Sequence, residues 1–323
     1  MDASRPFPSR RPGATTLIDP FDRGGRSPLG AVVPRLARMA GVAPATSPST
    51  ASASPLLSPS IFPDPAELPA RALAVLAQSK GARQPPQSPR LRLQRRILSD
   101  GTECCLPIRY FDARCLIAAF PTDLERAADV LDGVGLAAVT DDDGRATVLF
   151  GCFEYRDSDL GPYNEVGLGI LATAPKDQDS ALYVIHLPVS TAATDRVGRE
   201  LWGYRKFVAE IDVRGDDRAF STTVREVATG TIAVLEGALR ALAPSLPTDF
   251  PTYSLRNGKV VRTRIHVLTS FGTCGGSDFF LKLGASSHPM AQSLRALGLD
   301  GASPSAVRYA DPFQALLFPG FEV

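Results

Sequence analysis

Six β-rich segments follow one another between residues 146 and 270, and their close spacing is what most constrains the fold of this chain. They read ATVLFGCFEYR (146–156), NEVGLGILATA (164–174), ALYVIHLPV (181–189), FVAEIDVRGD (207–216), AFSTTVREVATGTIAVLEG (219–237) and VVRTRIHVLTS (260–270). Several alternate apolar and polar residues, as in Phe207, Ala209, Ile211 and Val213, and Gly, Asp and Asn turn signals separate them. RNGK (256–259) is a strong hairpin signal. DARCLIAAF (112–120) adds an earlier strand. Helical patterns are few. PTDLERAADVLDGVG predicts one helix, with Thr122 or Asp123 as cap and Leu124, Ala128, Val130 and Leu131 on its inner side. Many short strands with two or three short helices predict an α+β, mainly antiparallel β protein: a closed or cone-shaped β-barrel with helical additions.

The strands do not begin at the N-terminus. Residues 1–96 are rich in Ser, Pro and Ala and read as a disordered basic arm, with the β-barrel domain expected over 97–323. Within the arm, PAELPARALAVLAQSKG (65–81) is a candidate short helix. The formal net charge of +1 divides unevenly: 14 Lys and Arg against 5 Asp and Glu in 1–96, and 21 against 29 in the rest. An acidic folded part argues against nucleic-acid binding, which needs clustered cations. No apolar run approaches a membrane span, so no membrane partner is expected. The start is Arg/Ser-rich like an organelle peptide, but Asp2, Asp19 and Asp22 weigh against targeting. Five scattered cysteines without a CxxC pair predict free thiols, a cytoplasmic location and no zinc site. No glycine-rich phosphate loop appears, and no cofactor is expected.

Against thirty arginines the chain has five lysines, and one of them, Lys206, lies in GRELWGYRKF (198–207). Ser190 or Thr191 caps a helix ahead of it, Val197 and Leu201 share one face, and Asp195 and Arg199 form an i,i+4 pair on another. Gly203 ends the helix, so Lys206 falls at a helix-to-strand junction beside Trp202, Tyr204, Arg205 and Phe207. Alternation turns Lys206 and Val208 to the face opposite Phe207 and Ala209.

VGRELWGYRKF resembles the active-site segment of the acetoacetate decarboxylase superfamily, whose usual form is close to GREL-x-x-Y-P-K-K. The resemblance implies that Lys206 is the Schiff-base lysine. GPYNEVGLGI (161–170) resembles the family's tyrosine-x-glutamate segment and implies that Glu165 is its active-site glutamate. KLGASSHPMAQSLRALGL (282–299) and PTDLERAADVLDGVGL resemble the family's C-terminal stretch and early helix, and the likeness spans roughly residues 107–320. Departures are visible too. Arg205 replaces the proline and Phe207 the second lysine; Phe150 stands where a second glutamate is usual, with Glu154 nearby. The substrate-carboxylate arginine maps near Ala113, one position from Arg114.

An amine with a pKa of about 10.4 is almost wholly protonated at neutral pH. Burial among apolar groups or a neighbouring cation makes the neutral nucleophile accessible. Trp202, Tyr204 and Phe207 are candidates for drying the site and Arg205 for the cation, while the carbonyl end of the preceding helix acts in the opposite sense. The expected reaction is decarboxylation of a β-keto acid through an iminium, with Glu165 positioning substrate or moving protons. Phe207 in place of lysine favours a substrate larger and less polar than acetoacetate, such as a polyketide-derived chain of secondary metabolism. An aldolase or dehydratase acting on a 2-keto acid, or a barrel that only binds a small apolar ligand, are the alternatives. The partner is then a small keto acid or ketone, with homo-oligomerisation left open. His288 reads as a structural histidine, and Cys104-Cys105 as a loop at the domain edge.

Overall fold

The structure is a computed structural model that describes residues 93–175, 179–247 and 249–323. Most of the expected arm, including the candidate helix at 65–81, lies outside the described residues. The expected boundary at 96 falls within a strand, Gln94–Ile97, which forms an antiparallel hairpin with Glu103–Leu106. Cys104 and Cys105 therefore sit on a strand rather than in a loop.

After this hairpin come β1 (Ile108–Thr122), α1 (Leu124–Leu131), β2 (Ala146–Ser158), β3 (Tyr163–Thr173), β4 (Ala181–Val189), α2 (Ala192–Trp202) and the short β5 (Lys206–Val208). Next are β6 (Glu210–Gly215), β7 (Ala219–Glu226), β8 (Gly230–Ala238), β9 (Phe250–Arg256), β10 (Lys259–Val267), β11 (Phe271–Gly275), β12 (Phe279–Leu283), α3 (Pro289–Ala296) and β13 (Ala306–Leu317). Seven strands close into a barrel in the order β13, β1, β2, β3, β4, β9, β10 and back to β13. All neighbours are antiparallel except β4 and β9, so the barrel is mixed. Beyond β9, the other end of β4 pairs in parallel with β5, which brings Lys206 beside Leu187.

A second, four-stranded sheet in the order β12, β8, β7, β6 lies against the barrel wall. This divides most of the buried apolar residues into two large cores. One is the sandwich between wall and sheet, where Phe150, Leu168 and Val307 meet Phe220, Ile232 and Leu281. The other is the barrel interior, with Tyr110, Leu149, Val184 and Phe313. Wall strands are thus buried on both faces, which explains why β4 is apolar without alternation and buried along all nine residues. Strands β6 and β7 have one solvated face and do alternate.

The helices plug gaps around this frame. In α1 the buried residues are Ala127 and Leu131, while Leu124 and Ala128 face water. The inner face therefore agrees with the expected one at Leu131 and the half-buried Val130 and departs from it at Leu124 and Ala128, because the i,i+4 pair 127/131 meets the sandwich core. Asp123 is the N-cap by position but makes no side-chain cap bond. Helix α3 starts at His288, whose Nδ1 accepts from the Met290 amide at 3.1 Å, so this histidine is structural. On the neighbouring wall His186 Nε2 lies 3.0 Å from Ser293 Oγ of α3. Among the described residues no helix is long and apolar enough to cross a membrane.

Phe150 has no exposed surface, and Phe150→Ala should lower unfolding free energy by about 3–5 kcal/mol in a urea titration. A pH series tests the α3 contact. Burial, then the nearby His288 and Arg205, hold His186 down at about 4. The unfolded imidazole binds its proton near 6.5. Stability from this group is therefore present above about pH 6.5 and lost as the pH falls towards 4. His186→Gln should flatten that part of the stability profile.

Candidate active site

The site is assembled by the turn that ends α2. Thr191 Oγ1 accepts from the Thr194 amide at 3.3 Å at the helix start, and the expected Asp195–Arg199 pair is present at 3.7 Å. At the far end Gly203 adopts φ 74°, where a side chain is strained and a Cβ would meet the Leu255 carbonyl. Strand β9 takes up the last helical carbonyls: Ser254 Oγ donates to Trp202 O at 2.5 Å and Arg256 Nη1 to Leu201 O at 2.6 Å. Trp202 Nε1 donates to Phe318 O at 2.9 Å. These bonds fix where the chain leaves the helix, and β5 then begins with Lys206 turned into the barrel.

Gly198 makes room for that lysine. A Cβ there would lie 2.5 Å from Lys206 Cδ and closer still to Cε, so the lysine side chain runs across the bare backbone of α2. Its Nζ ends 2.5 Å from Glu165 Oε2. The two side chains are 6% and 9% exposed, which makes this a buried ion pair rather than a surface one. Glu165 comes from β3, and Tyr155 Oη of β2 donates to its other oxygen at 3.4 Å. The rings of Tyr110, Tyr155 and Tyr163 pack with centroids 4.4 and 4.6 Å apart, and the hydroxyls of Tyr110 and Tyr163 are 3.3 Å apart. The ammonium lies 5.9 Å from the centre of the Tyr163 ring. Burial, and after it the Glu165 carboxylate, pushes all three phenols up, so they stay protonated at neutral pH. Tyr204, bonded to Thr252 Oγ1 at 2.7 Å, is pushed up to about 12 by burial.

This cluster lines one side of a cavity of about 100 Å³ inside the barrel. Most of its lining is apolar, including Ile117, Leu149, Phe153, Leu187 and Phe313, and two facing glycines, Gly151 and Gly167, contribute no side chain. An amine, a carboxylate and a phenol converge on an enclosed apolar space, an arrangement suited to forming an imine and moving protons on it.

Of the six residues singled out from the sequence, Lys206, Glu165 and Tyr204 come together at the cavity. Phe207 does not. Its ring packs outside the barrel, 4.2 Å from that of His288, as alternation requires. Arg205 is exposed on the outer side, next to His186 and Tyr183 rather than the amine. Arg114 also faces outward, in ion pairs with Asp311 at 3.0 Å and Glu154 at 3.3 Å. Glu154 is thereby committed to that network. Drying of the lysine falls to Trp202, Tyr204 and the tyrosine cluster. Tyr110, Tyr155 and Arg308 were not anticipated; the available signal was a polar residue at an inward position of an otherwise apolar strand.

A closed barrel holding a buried lysine–glutamate pair at an apolar cavity defines a class of small-molecule site. The chain belongs to the acetoacetate decarboxylase family, whose model, "Acetoacetate decarboxylase (ADC)", matches residues 98–264. No curated protein sequence matches it. Among solved structures it is similar to acetoacetate decarboxylase from Legionella pneumophila, with 16% identity, a TM-score of 0.52, and 77% of this chain and 95% of that one covered. It is likewise similar to a structure described as acetoacetate decarboxylase, at 16% identity and a TM-score of 0.51, over 67% of this chain and 89% of the other. Both share the barrel fold.

Lysine acetylation followed by mass spectrometry tests the geometry. Lys259 and Lys282, whose side chains are 66% and 63% exposed, should label many times faster than Lys206. Gly198→Ala should displace the lysine and raise its labelling. Equal rates in the unaltered protein would put the amine in water.

Proposed function

We propose that the protein is a Schiff-base lyase that decarboxylates a β-keto acid through Lys206. The observation that carries this reading is the Lys206 amine, enclosed in the barrel 2.5 Å from Glu165. Family membership supports it. Glu165 takes a proton from the Lys206 ammonium, the neutral amine adds to the ketone, and the carbinolamine loses water to give an iminium. The carboxylate one carbon away then leaves as carbon dioxide, and its bonding electrons pass into the iminium to form an enamine. A proton returns to the enamine carbon, and water hydrolyses the resulting iminium to release the ketone and the lysine.

Glu165 is the group in reach for the proton transfers at nitrogen, since it touches Nζ directly. Glu165, carrying the proton taken from nitrogen, is the candidate to return one to the enamine carbon, with the Tyr155 phenol holding its other oxygen. The apolar lining excludes water and favours a neutral product over a charged substrate, the direction that loss of carbon dioxide requires. That lining also supports a substrate less polar than acetoacetate, and we place polyketide-derived chains of secondary metabolism first among those to try.

Borohydride trapping tests the proposal. With a panel of 3-oxo acids, reduction should fix the ketone product on the peptide containing Lys206, with release of carbon dioxide. Lys206→Met should show neither, and Glu165→Gln should lower turnover at least about tenfold. A condensation product without carbon dioxide would assign the lysine to aldolase chemistry. Binding with no adduct on Lys206 would make the barrel a carrier.

A further inference from the structure

Aromatic rings make up one wall of the cavity. Tyr110 of β1, Tyr155 and Phe153 of β2, Phe313 of β13 and Phe271 of β11 all line it. Their rings follow one another in contact in that order, with centroids 4.4, 5.5, 5.9 and 5.9 Å apart. The row begins at the reacting groups, where Tyr155 Oη donates to Glu165, and it ends at Phe271, over which the Arg308 guanidinium stacks at 4.7 Å. Phe153 and Tyr155 are two apart on the inner face of β2, and their planes lie within 3° of parallel. Phe313 projects from an irregular stretch of β13, where the register against β1 shifts on both sides of it. Phe153 is also the cross-strand partner of Glu165, the residue that touches Lys206 Nζ. Such partners stand about 5 Å apart, so a group held at Nζ is within a few bonds of the Phe153 ring. Next along the two strands, Gly151 and Gly167 face each other as bare backbone, and the Phe153 ring leans over Gly151, 3.0 Å from where a Cβ would stand.

We propose that this row is a subsite for a single aromatic ring, carried by the substrate on the arm of its ketone that does not lose carbon dioxide. The carbon joined to Nζ bears two arms. A carboxylate laid against phenylalanine rings would be desolvated without a partner, so the arm that leaves as carbon dioxide does not lie along this wall. The second arm does. Rings offer it more than apolar area, because the negative face of one and the positive edge of another attract, and a saturated ring of similar size gains nothing from this. The bare backbone at Gly151 and Gly167 leaves the space beside Phe153 to a flat group. Size sets the upper limit: an apolar hollow of about 150 Å³ takes up one benzene, so a cavity of about 100 Å³ admits one ring and no fused pair. For the reaction, this names a 3-oxo acid that ends in one aryl group. That identification rests on the proposed lysine chemistry, whereas the ring subsite itself does not.

Calorimetric titration of the full-length protein separates the two. Benzyl alcohol and cyclohexylmethanol have no carbonyl and form no imine, and the saturated ring is the bulkier and more apolar of the pair. The unaltered protein should bind benzyl alcohol about three- to tenfold more tightly, the worth of an aromatic pair beyond its buried area. Phe153→Leu keeps an apolar side chain but removes the central ring, and should erase most of that preference. Phe313→Leu should reduce it and serves if the first variant fails to fold. Equal or weaker binding of benzyl alcohol, binding of neither alcohol, or a preference that the folded variants leave unchanged overturns the subsite. Borohydride trapping of acetone, which has no ring, reads the lysine chemistry independently. An acetone adduct on Lys206 without any ring preference ends the subsite alone. A ring preference without any adduct upholds the subsite and ends the Schiff-base reading.

Discussion

An ammonium and a carboxylate in contact, both withdrawn from water, are what the rest of this structure has to accommodate. Such a pair survives only where geometry is good and the remaining oxygens are satisfied. Here the Tyr155 phenol serves the second Glu165 oxygen, and the aromatic face of Tyr163 lies near the ammonium. Helix α2 supports the pair from the other side. Its backbone is bare at Gly198 where the lysine passes, and its end is fastened to β9 through Ser254 and Arg256. Its outer side is held too: Glu200 accepts from Ser99, and Arg196 pairs with Asp100, both at the tip of the N-terminal hairpin.

Having two cores resolves a conflict between stability and catalysis. A barrel filled to native density would have no place for a substrate, and a hollow one would lack cohesion. Packing the outer wall against the second sheet and against α1 and α3 transfers much of the stabilising burial to the outside of the barrel. The interior is then free to keep a cavity, with its polar groups at Lys206 and Glu165 on one wall and Arg308 on the other.

Much of this was legible in the sequence, and the failures have physical causes. The strands, the helix before Lys206, its glycine end and the Thr191 cap follow local rules that need no tertiary information. Alternation also implied the outward direction of Phe207, yet its adjacency to the lysine put it among the residues expected to dry the site. Glu165 was reached through its motif and not from spacing, since it lies 41 positions from Lys206. Proximity in sequence misled for Arg205, adjacent to the lysine yet on the opposite face. Arg114 faced the same trap: its neighbours Ala113 and Cys115 point into the barrel, and it points out to Asp311. The inner face of α1 was right at Val130 and Leu131 and wrong at Leu124 and Ala128, because its few apolar residues fit two faces and only the sandwich core chose between them. Tyr110 and Arg308 lie far from the lysine segment in sequence and reach the cavity through the closure of the barrel, which no local pattern encodes.

The paired glycines at 151 and 167 carry an implication for how such a site diversifies. Both face the hollow, and each new methyl would take up cavity space, against the Phe153 ring at one position and Leu187 at the other. Bulk added at these two backbone positions therefore shortens the hollow while Lys206 and Glu165 stay where they are.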